Sequence, residues 1–365
     1  MENRKIKICF IIPVPPPYGG IANWTQLLCN YITNSCCDIE KTVINSAPKI
    51  RETEGRTMWN RVVNSGFTMV MKYKELNKII RCDRPDVIHI TTSGQLAIIR
   101  DIILLKTAKL KGIPTIYHIR FGRIKEIAEN NTIEWKLILN AFKLASTVMV
   151  IDKTTYFAIK EYLPEVNVVC VPNPIDISRL PEPKASNSKT VMFLGWLIKT
   201  KGIEELLTAW EQIHKNFSEW SIRLVGPCKE EYLAYLKCTY SFEGVIYEGE
   251  KSHDEAMNLL NSSEIFILPS YTEGFPNSVL EAMALSKPII ATRIGAIPDI
   301  LADKCGVLIN SKDSTEIVEA LKYLIENDKS RHLISKNANQ KLHKEYTIDT
   351  IFKNYTREWI KLLER

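Results

Sequence analysis

The chain has no stretch approaching the roughly 18 uninterrupted apolar residues of a membrane span; Ile102-Ile103-Leu104-Leu105 is cut off by Lys106. It has no cysteine framework either. Nine cysteines lie scattered, with one adjacent pair, Cys36-Cys37, and no Cys-x-x-Cys. This odd count argues against a disulfide scaffold and for a reducing, cytoplasmic setting. The six histidines do not cluster with the cysteines, and no Asp-x-Asp occurs, so no metal site is expected. Arg4-Lys5-Ile6-Lys7 followed by Ile8 to Ile12 resembles the start of a signal peptide. The apolar run is short, however, and Pro13, Pro15, Pro16 and Pro17 end it without a small-residue cleavage pattern. It reads as a first buried strand.

What is present is alternation. At 365 residues the chain can build two domains, each with its own core. Strand candidates are Lys7 to Ile12, Lys41 to Asn45, Asp86 to Thr91, Pro114 to His118, Thr147 to Ile151 and Asn167 to Val171, with amphipathic helical stretches between them. Pro181 to Ser188 is the most linker-like segment. Beyond it come Thr190 to Leu194, Ser221 to Val225, Val245 to Tyr247, Ile265 to Leu268, Pro288 to Ala291 and Gly306 to Ile309. Two βα series imply an α/β protein of two Rossmann-like parallel-sheet domains, 1–180 and 181–346, with a ligand in the cleft between them. Charge divides unevenly: residues 1–180 hold 25 Lys and Arg against 16 Asp and Glu, the remainder 23 against 26. The basic cluster Arg51, Arg56, Arg61, Lys72, Lys74 and Lys78 suits an anionic membrane surface or a phosphorylated acceptor, or is a set of solvated helix faces. No nucleic-acid motif accompanies it, so no nucleic-acid partner is expected.

The most informative segment is Pro269-Ser270-Tyr271-Thr272-Glu273-Gly274-Phe275-Pro276-Asn277-Ser278-Val279-Leu280-Glu281-Ala282-Met283-Ala284. A buried strand, Ile265 to Leu268, breaks at Pro-Ser, and a helix follows the Gly-Phe-Pro turn, with Asn277 or Ser278 as N-cap and Val279 as its first residue. A helix N-terminus after a strand end favours a diphosphate, through its free N–H groups and its dipole. Asn277 and Glu281 share one face. Glu281 lies roughly 6 Å further along at about 1.5 Å per residue, within reach of a ribose, while Glu273 on the loop faces the other end of such a ligand. This segment resembles the Glu-x7-Glu motif of the GT4-type retaining glycosyltransferases, which have the GT-B fold. The resemblance puts Glu273 beside a donor sugar and Glu281 on the ribose hydroxyls. It further implies that the last segment, 347–365, crosses back as a helix onto the first domain.

Four further sites fit the resemblance. Phe193-Leu194-Gly195-Trp196-Leu197-Ile198-Lys199-Thr200-Lys201-Gly202 runs from a strand into a helix start. Lysine there opposes the dipole, so Lys201 and Lys199 point to a bound anion, with pyrophosphate as the candidate. The family pattern is Gly-Arg-Leu followed by Lys-Gly. Trp196 stands in place of its Arg, which leaves the phosphate contact to Lys201, alone or with Lys199. Pro15-Pro16-Pro17-Tyr18-Gly19-Gly20 resembles the family's Pro-x-x-Gly-Gly loop, where Gly19 and Gly20 let the backbone approach the donor phosphates or the acceptor. His118 ends its strand where the family has a His that reaches the donor sugar. Arg120 and Arg123, in the loop beyond, are acceptor or phosphate contacts. Gly226 and Tyr247 look like the strand ends that flank the nucleobase. Gly274, Phe275, Pro276, Ser278 and Val279 complete the donor loop.

The reading is thus a cytoplasmic, retaining, metal-independent GT-B glycosyltransferase without cofactor, with Glu273, His118 and Lys201 at the reaction. A nucleotide diphosphate sugar is its donor and a sugar or lipid-linked sugar its acceptor, as in bacterial surface polysaccharide or glycolipid synthesis at the inner membrane face. Alternatives are a nucleotide-sugar epimerase or a sugar phosphorylase on the same fold, or a non-catalytic nucleotide-sugar-binding subunit.

Overall fold

A computed structural model describes residues 4–16, 20–35, 38–47, 58–95 and 97–364, with backbone alone for 58–67. Contacts divide the chain into two units, Met1–Pro174 with Ile351–Arg365, and Ile175–Thr350. In the first, β1 (Ile6–Ile12), α1 (Gly20–Ser35), β2 (Ile39–Asn45), α2 (Met58–Cys82), β3 (Val87–Thr92) and α3 (Ala97–Leu110) are followed by β4 (Thr115–Ile119), α4 (Ile124–Glu129), α5 (Ile133–Leu144), β5 (Thr147–Val150), α6 (Lys153–Tyr162) and β6 (Val168–Cys170). The sheet is wholly parallel in the order β2-β1-β3-β4-β5-β6. Every residue of β3, β4 and β5 is buried, as a parallel sheet covered on both faces requires. The period-two alternation of Ile8, Cys9, Phe10 and Ile11 sends successive side chains to opposite faces. Cys9 and Ile11 join Leu104, Leu105 and Phe142 on one side. Ile8 and Phe10 join Trp24 and Leu28 of α1 on the other.

The second unit contains β7 (Thr190–Leu194), α7 (Ile203–Ile213), β8 (Ser221–Val225), α8 (Glu230–Thr239), β9 (Val245–Gly249), α9 (His253–Ser262) and β10 (Ile265–Leu268). It continues through α10 (Asn277–Ala284), β11 (Ile289–Thr292), α11 (Ile297–Ile300), β12 (Val307–Ile309), α12 (Ser314–Glu326) and α13 (Asp328–Glu345). Its parallel sheet runs β12-β11-β10-β7-β8-β9. Strand order therefore reverses between β7 and β10, and that switch point is where open α/β sheets bind ligands. Both units are Rossmann-like, as the sequence led us to expect.

The last helix, α14 (Ile348–Leu363), begins in the second unit and continues in the first. Ile351, Phe352, Tyr355, Trp359 and Leu362 fall on one face and are buried with Ile8, Phe10, Trp24 and Leu28. Burial of an apolar side chain of this kind stabilises by about 1.5–3 kcal/mol. The segment 181–188 is tied down rather than free. Lys184 N donates to Asn261 Oδ1 at 3.0 Å, and the buried Lys287 ammonium donates to Lys184 O at 3.1 Å and Asn261 O at 2.6 Å. Burial pulls the Lys287 pKa down to about 8, and these carbonyls hold the ammonium in place.

Candidate active site

The loops after β7 and β10 meet at the switch point of the second sheet. After β7 the chain makes a single 3₁₀ turn, Lys199–Lys201, and then reverses at Gly202 with φ +71°. A Cβ at Gly202 would lie 2.0 Å from the Pro269 carbonyl oxygen, so only glycine lets this turn rest against the end of β10. Tyr271 N donates to Thr200 O at 2.8 Å and fastens the two loops. Lys201 Nζ thereby reaches Glu273 Oε1 at 2.5 Å. The same oxygen accepts from Ser270 Oγ at 2.8 Å, while the Ser270 carbonyl accepts from Thr292 Oγ1 at 2.7 Å. On the other side, Gly295 has φ +52° and a Cβ there would lie 2.3 Å from Glu273 O. Ala296 N donates to Gly274 O at 3.0 Å. The Glu273 loop is clasped from both sides.

This geometry corrects one expectation. Lys201 precedes α7 within the 3₁₀ turn, and its charge is met by Glu273, so an anion is not needed to explain a lysine there. An ammonium has three donors, and Glu273 accounts for one. The first turn of α7 instead carries Glu204 and Glu205, favourable to its dipole. Lys199 does not join Glu273; its exposed ammonium lies 3.5 Å from Glu204 Oε2.

A second correction concerns α10. The helix begins at Asn277, two residues earlier than expected, and its N-cap is Pro276, which makes no side-chain cap. Pro fixes φ near the helical value and has no side chain that could occupy the first-turn N–H groups. Asn277, Ser278 and the buried Val279 form that first turn. Phe275 packs partly buried, its ring 6.2 Å from that of Tyr346. Glu281 stands one turn further along and has a partner that sequence reasoning missed, His253 Nε2 at 3.2 Å from Oε1. The hydrogen bond to Glu281, followed by its charge, raises the His253 pKa above the ordinary value. Ser252 and Glu255 close a capping box that starts α9 at His253. That box is readable in sequence, but the contact across to α10 is not. Gly226, φ +139°, follows β8, and its carbonyl lies 3.5 Å from the hydroxyl of half-buried Tyr247 on β9. Trp196 is 59% exposed at the end of β7.

In the first unit, Gly19 lies outside the described residues. Gly20 opens α1, exposed, and a Cβ there would meet nothing within 4 Å. His118 and Arg120 end β4 fully or nearly buried, whereas Arg123 sits at the start of α4 without a side-chain cap. His118 and Arg120 belong to a cluster the sequence did not disclose. His89 Nε2 is 3.1 Å from His118 Nδ1, Trp359 Nε1 donates to His89 Nδ1 at 3.3 Å, and Trp24 Nε1 donates to Tyr355 Oη at 3.2 Å. The Arg120 guanidinium lies 4.0 Å over the Trp24 ring. Burial, then the Arg120 charge, pushes the His89 pKa down to about 3 and that of His118 well below the ordinary value. Burial also lowers Arg120 to about 10. Among the described residues, His118 Nε2 and Arg120 Nη1 are buried without a hydrogen-bond partner.

Residues 175–341 match the family model "Glycosyl transferases group 1". A glycosyltransferase of Haemophilus influenzae, itself uncharacterized, is 29% identical over 194 residues, 52% of this chain and 54% of that protein. The putative teichuronic acid biosynthesis glycosyltransferase TuaC of Bacillus subtilis is 29% identical over 135 residues, 37% of this chain and 32% of its own length. Matches span about half the length of the first curated relatives. Among solved structures, HepE of Anabaena in complex with UDP superposes with a TM-score of 0.69 at 16% identity, over 98% of this chain and 100% of that one. At that identity the likeness concerns the fold, which is GT-B. Residues 175–341, with the Lys201–Glu273 pair and the Glu281 helix inside them, are thus similar to the group 1 glycosyl transferases.

Proposed function

We propose that this chain is a retaining, metal-independent glycosyltransferase that moves a sugar from a nucleotide diphosphate to an acceptor. The observation that carries the reading is the placement of Lys201 and Glu273, 2.5 Å apart at the sheet's switch point, with Glu273 on the loop that leads into the N-terminus of α10. A diphosphate at that N-terminus meets first-turn N–H groups and the two remaining ammonium donors of Lys201. Glu281, one turn on, accepts from the ribose hydroxyls. As the bond to the sugar breaks, charge grows on the departing phosphate. Lys201 and the α10 dipole bind that charge more strongly as it forms, which lowers the barrier rather than merely tightening binding. These groups take the cationic role that a metal has in other enzymes, and among the described residues no group of three or more His, Cys, Asp and Glu is placed to hold an ion. The departing phosphate takes the acceptor's proton on the same face, so the anomeric configuration is retained, with Glu273 beside the sugar and not a nucleophile.

The first unit offers His118, Arg120 and Arg123 as groups for a sugar or phosphate ligand. The relatives named for polysaccharide synthesis, TuaC among them, support an acceptor that is a sugar or a lipid-linked sugar. The excess of basic residues in 1–180 supports peripheral contact with an anionic membrane on its cytoplasmic face. Among the described residues no helix is long and apolar enough to cross a membrane. A thermal-shift panel of UDP, GDP, ADP, TDP and CDP tests the donor site, since a ligand of the folded state stabilises by mass action. A preferred nucleotide that loses its shift in Glu281→Ala is expected. Indifference to all five would remove the proposed site.

A further inference from the structure

The hydrogen-bond chain in the first unit determines a proton position. An indole N–H can only donate, so His89 Nδ1, which receives it from Trp359 Nε1 at 3.3 Å, must present a lone pair. A neutral imidazole then carries its one proton on Nε2. That proton points at His118 Nδ1, 3.1 Å away, which must in turn be a lone pair. The proton of His118 is therefore on Nε2, the nitrogen buried without a partner among the described residues. We infer that Trp359 and His89 are positioning residues that hold His118 as a neutral imidazole with its proton on Nε2, so that it meets its ligand as a hydrogen-bond donor and not as a base.

Each link has its own support. His89 sits in β3 and His118 in β4, neighbouring strands in fixed register, with Thr91 opposite His118. Trp359 is fully buried on α14 and stacks on Tyr355 at 5.9 Å between centroids. Protonating His118 would put a second hydrogen on Nδ1, directly against the His89 N–H, and break the chain. The charged and titratable groups packed around His118 are Arg120 on its own strand end, His89 on β3 and Tyr355 on α14; Trp24 covers it from α1. Among the described residues no carboxylate joins them to favour an imidazolium. Burial and the Arg120 charge act in the same direction. The partner suited to this nitrogen is an acceptor oxygen, a sugar hydroxyl or a phosphate. The role rests on the glycosyl-transfer reading, but the tautomer does not.

Nitrogen-15 NMR of histidine-labelled full-length protein, without substrate, reads the tautomer directly. The expected wild-type spectrum has His118 neutral from pH 5 to 8 with its proton on Nε2. A proton on Nδ1, or an imidazolium within that range, overturns the inference and leaves glycosyl transfer untouched. Trp359→Phe frees His89 to turn its proton, and His118 should then show both tautomers; an unchanged His118 signal in a folded Trp359→Phe protein also overturns it. His89→Gln keeps a side-chain N–H in place of the ring's Nε2–H and should preserve the wild-type His118 signal, which His89→Leu should not. With substrate, we expect turnover of His89→Gln within about threefold of wild type and a loss of about tenfold or more for His89→Leu, the change for roughly one hydrogen bond, with the donor KM little altered. Equal turnover losses in the two variants would mean that His89 is only a packing residue.

Discussion

Removing Glu281 should weaken binding of a bare nucleoside diphosphate, with no sugar attached. The carboxylate is mostly covered on α10, and among the described residues His253, 55% exposed, is its one hydrogen-bonded neighbour. Glu281→Ala therefore returns a half-solvated imidazole to water, and little folding stability is at stake because exposed pairs of this kind contribute about 0–1 kcal/mol. What is lost on binding is a charged acceptor for ribose hydroxyls, about 1.5–3 kcal/mol, or a tenfold to hundredfold rise in Kd at about 1.4 kcal/mol per decade. Titration calorimetry with the nucleotide preferred in thermal shift measures this. The 2′,3′-dideoxy nucleoside diphosphate supplies the control, since it cannot make the contact and should bind wild type and Glu281→Ala alike. His253→Ala should change the affinity less than about threefold. Equal weakening for the ribose and dideoxy ligands would refute the ribose contact and reduce Glu281 to a partner of His253.

Three further outcomes are expected. Lys201→Ala should lower turnover by more than it lowers affinity for the unphosphorylated nucleoside, because the phosphate charge it meets grows during bond cleavage; steady-state kinetics showing an equal loss in both would contradict this. His89 and His118 are neutral in the fold, with pKa values below the ordinary 6.5. Below that value the unfolded chain binds more protons, so their stabilisation is complete above pH 6.5 and is lost as pH falls, by up to about 1.4 kcal/mol per unit for each. Urea midpoints followed by tryptophan fluorescence should drop from pH 7 to 5, and a flat profile would contradict it. Exposed Lys74 and Lys78, one turn apart on α2, together with the basic excess of 1–180, should bind the protein to anionic and not neutral vesicles, by about 1 kcal/mol per residue held near the surface. High salt should release it, and binding indifferent to lipid charge would mean solvated helix faces.

Much of the fold was legible because parallel strands buried on both faces read as short β-branched runs: Ile265-Phe266-Ile267-Leu268 and Val87-Ile88-His89-Ile90 need no tertiary information to be recognised. The Glu273 to Glu281 segment was legible for a related reason, since a strand end, a turn and a helix start are local. Hidden were contacts set by topology. Lys201 and Glu273 are 72 positions apart, and only the adjacency of β7 and β10 joins them. The anion first invoked for Lys201 was an inference from local helix electrostatics that a distant carboxylate satisfies. His89 looked like one more strand residue. Its importance depends on pairing with β4 and on a tryptophan 270 positions away. The α10 boundary was misplaced because Asn277 and Ser278 are good caps in isolation, while the preceding Pro276 already sets the first helical turn.

The most direct test of the account is transfer itself. Purified protein is incubated with the preferred nucleotide sugar and a lipid-linked or free sugar acceptor in excess EDTA, and the product is analysed by NMR for the anomeric configuration of the new linkage. The account predicts a glycosylated acceptor, stoichiometric release of the nucleoside diphosphate, and an anomer matching the donor's. An isomerised nucleotide sugar without acceptor product, an inverted linkage, or activity that appears only on adding manganese would contradict it.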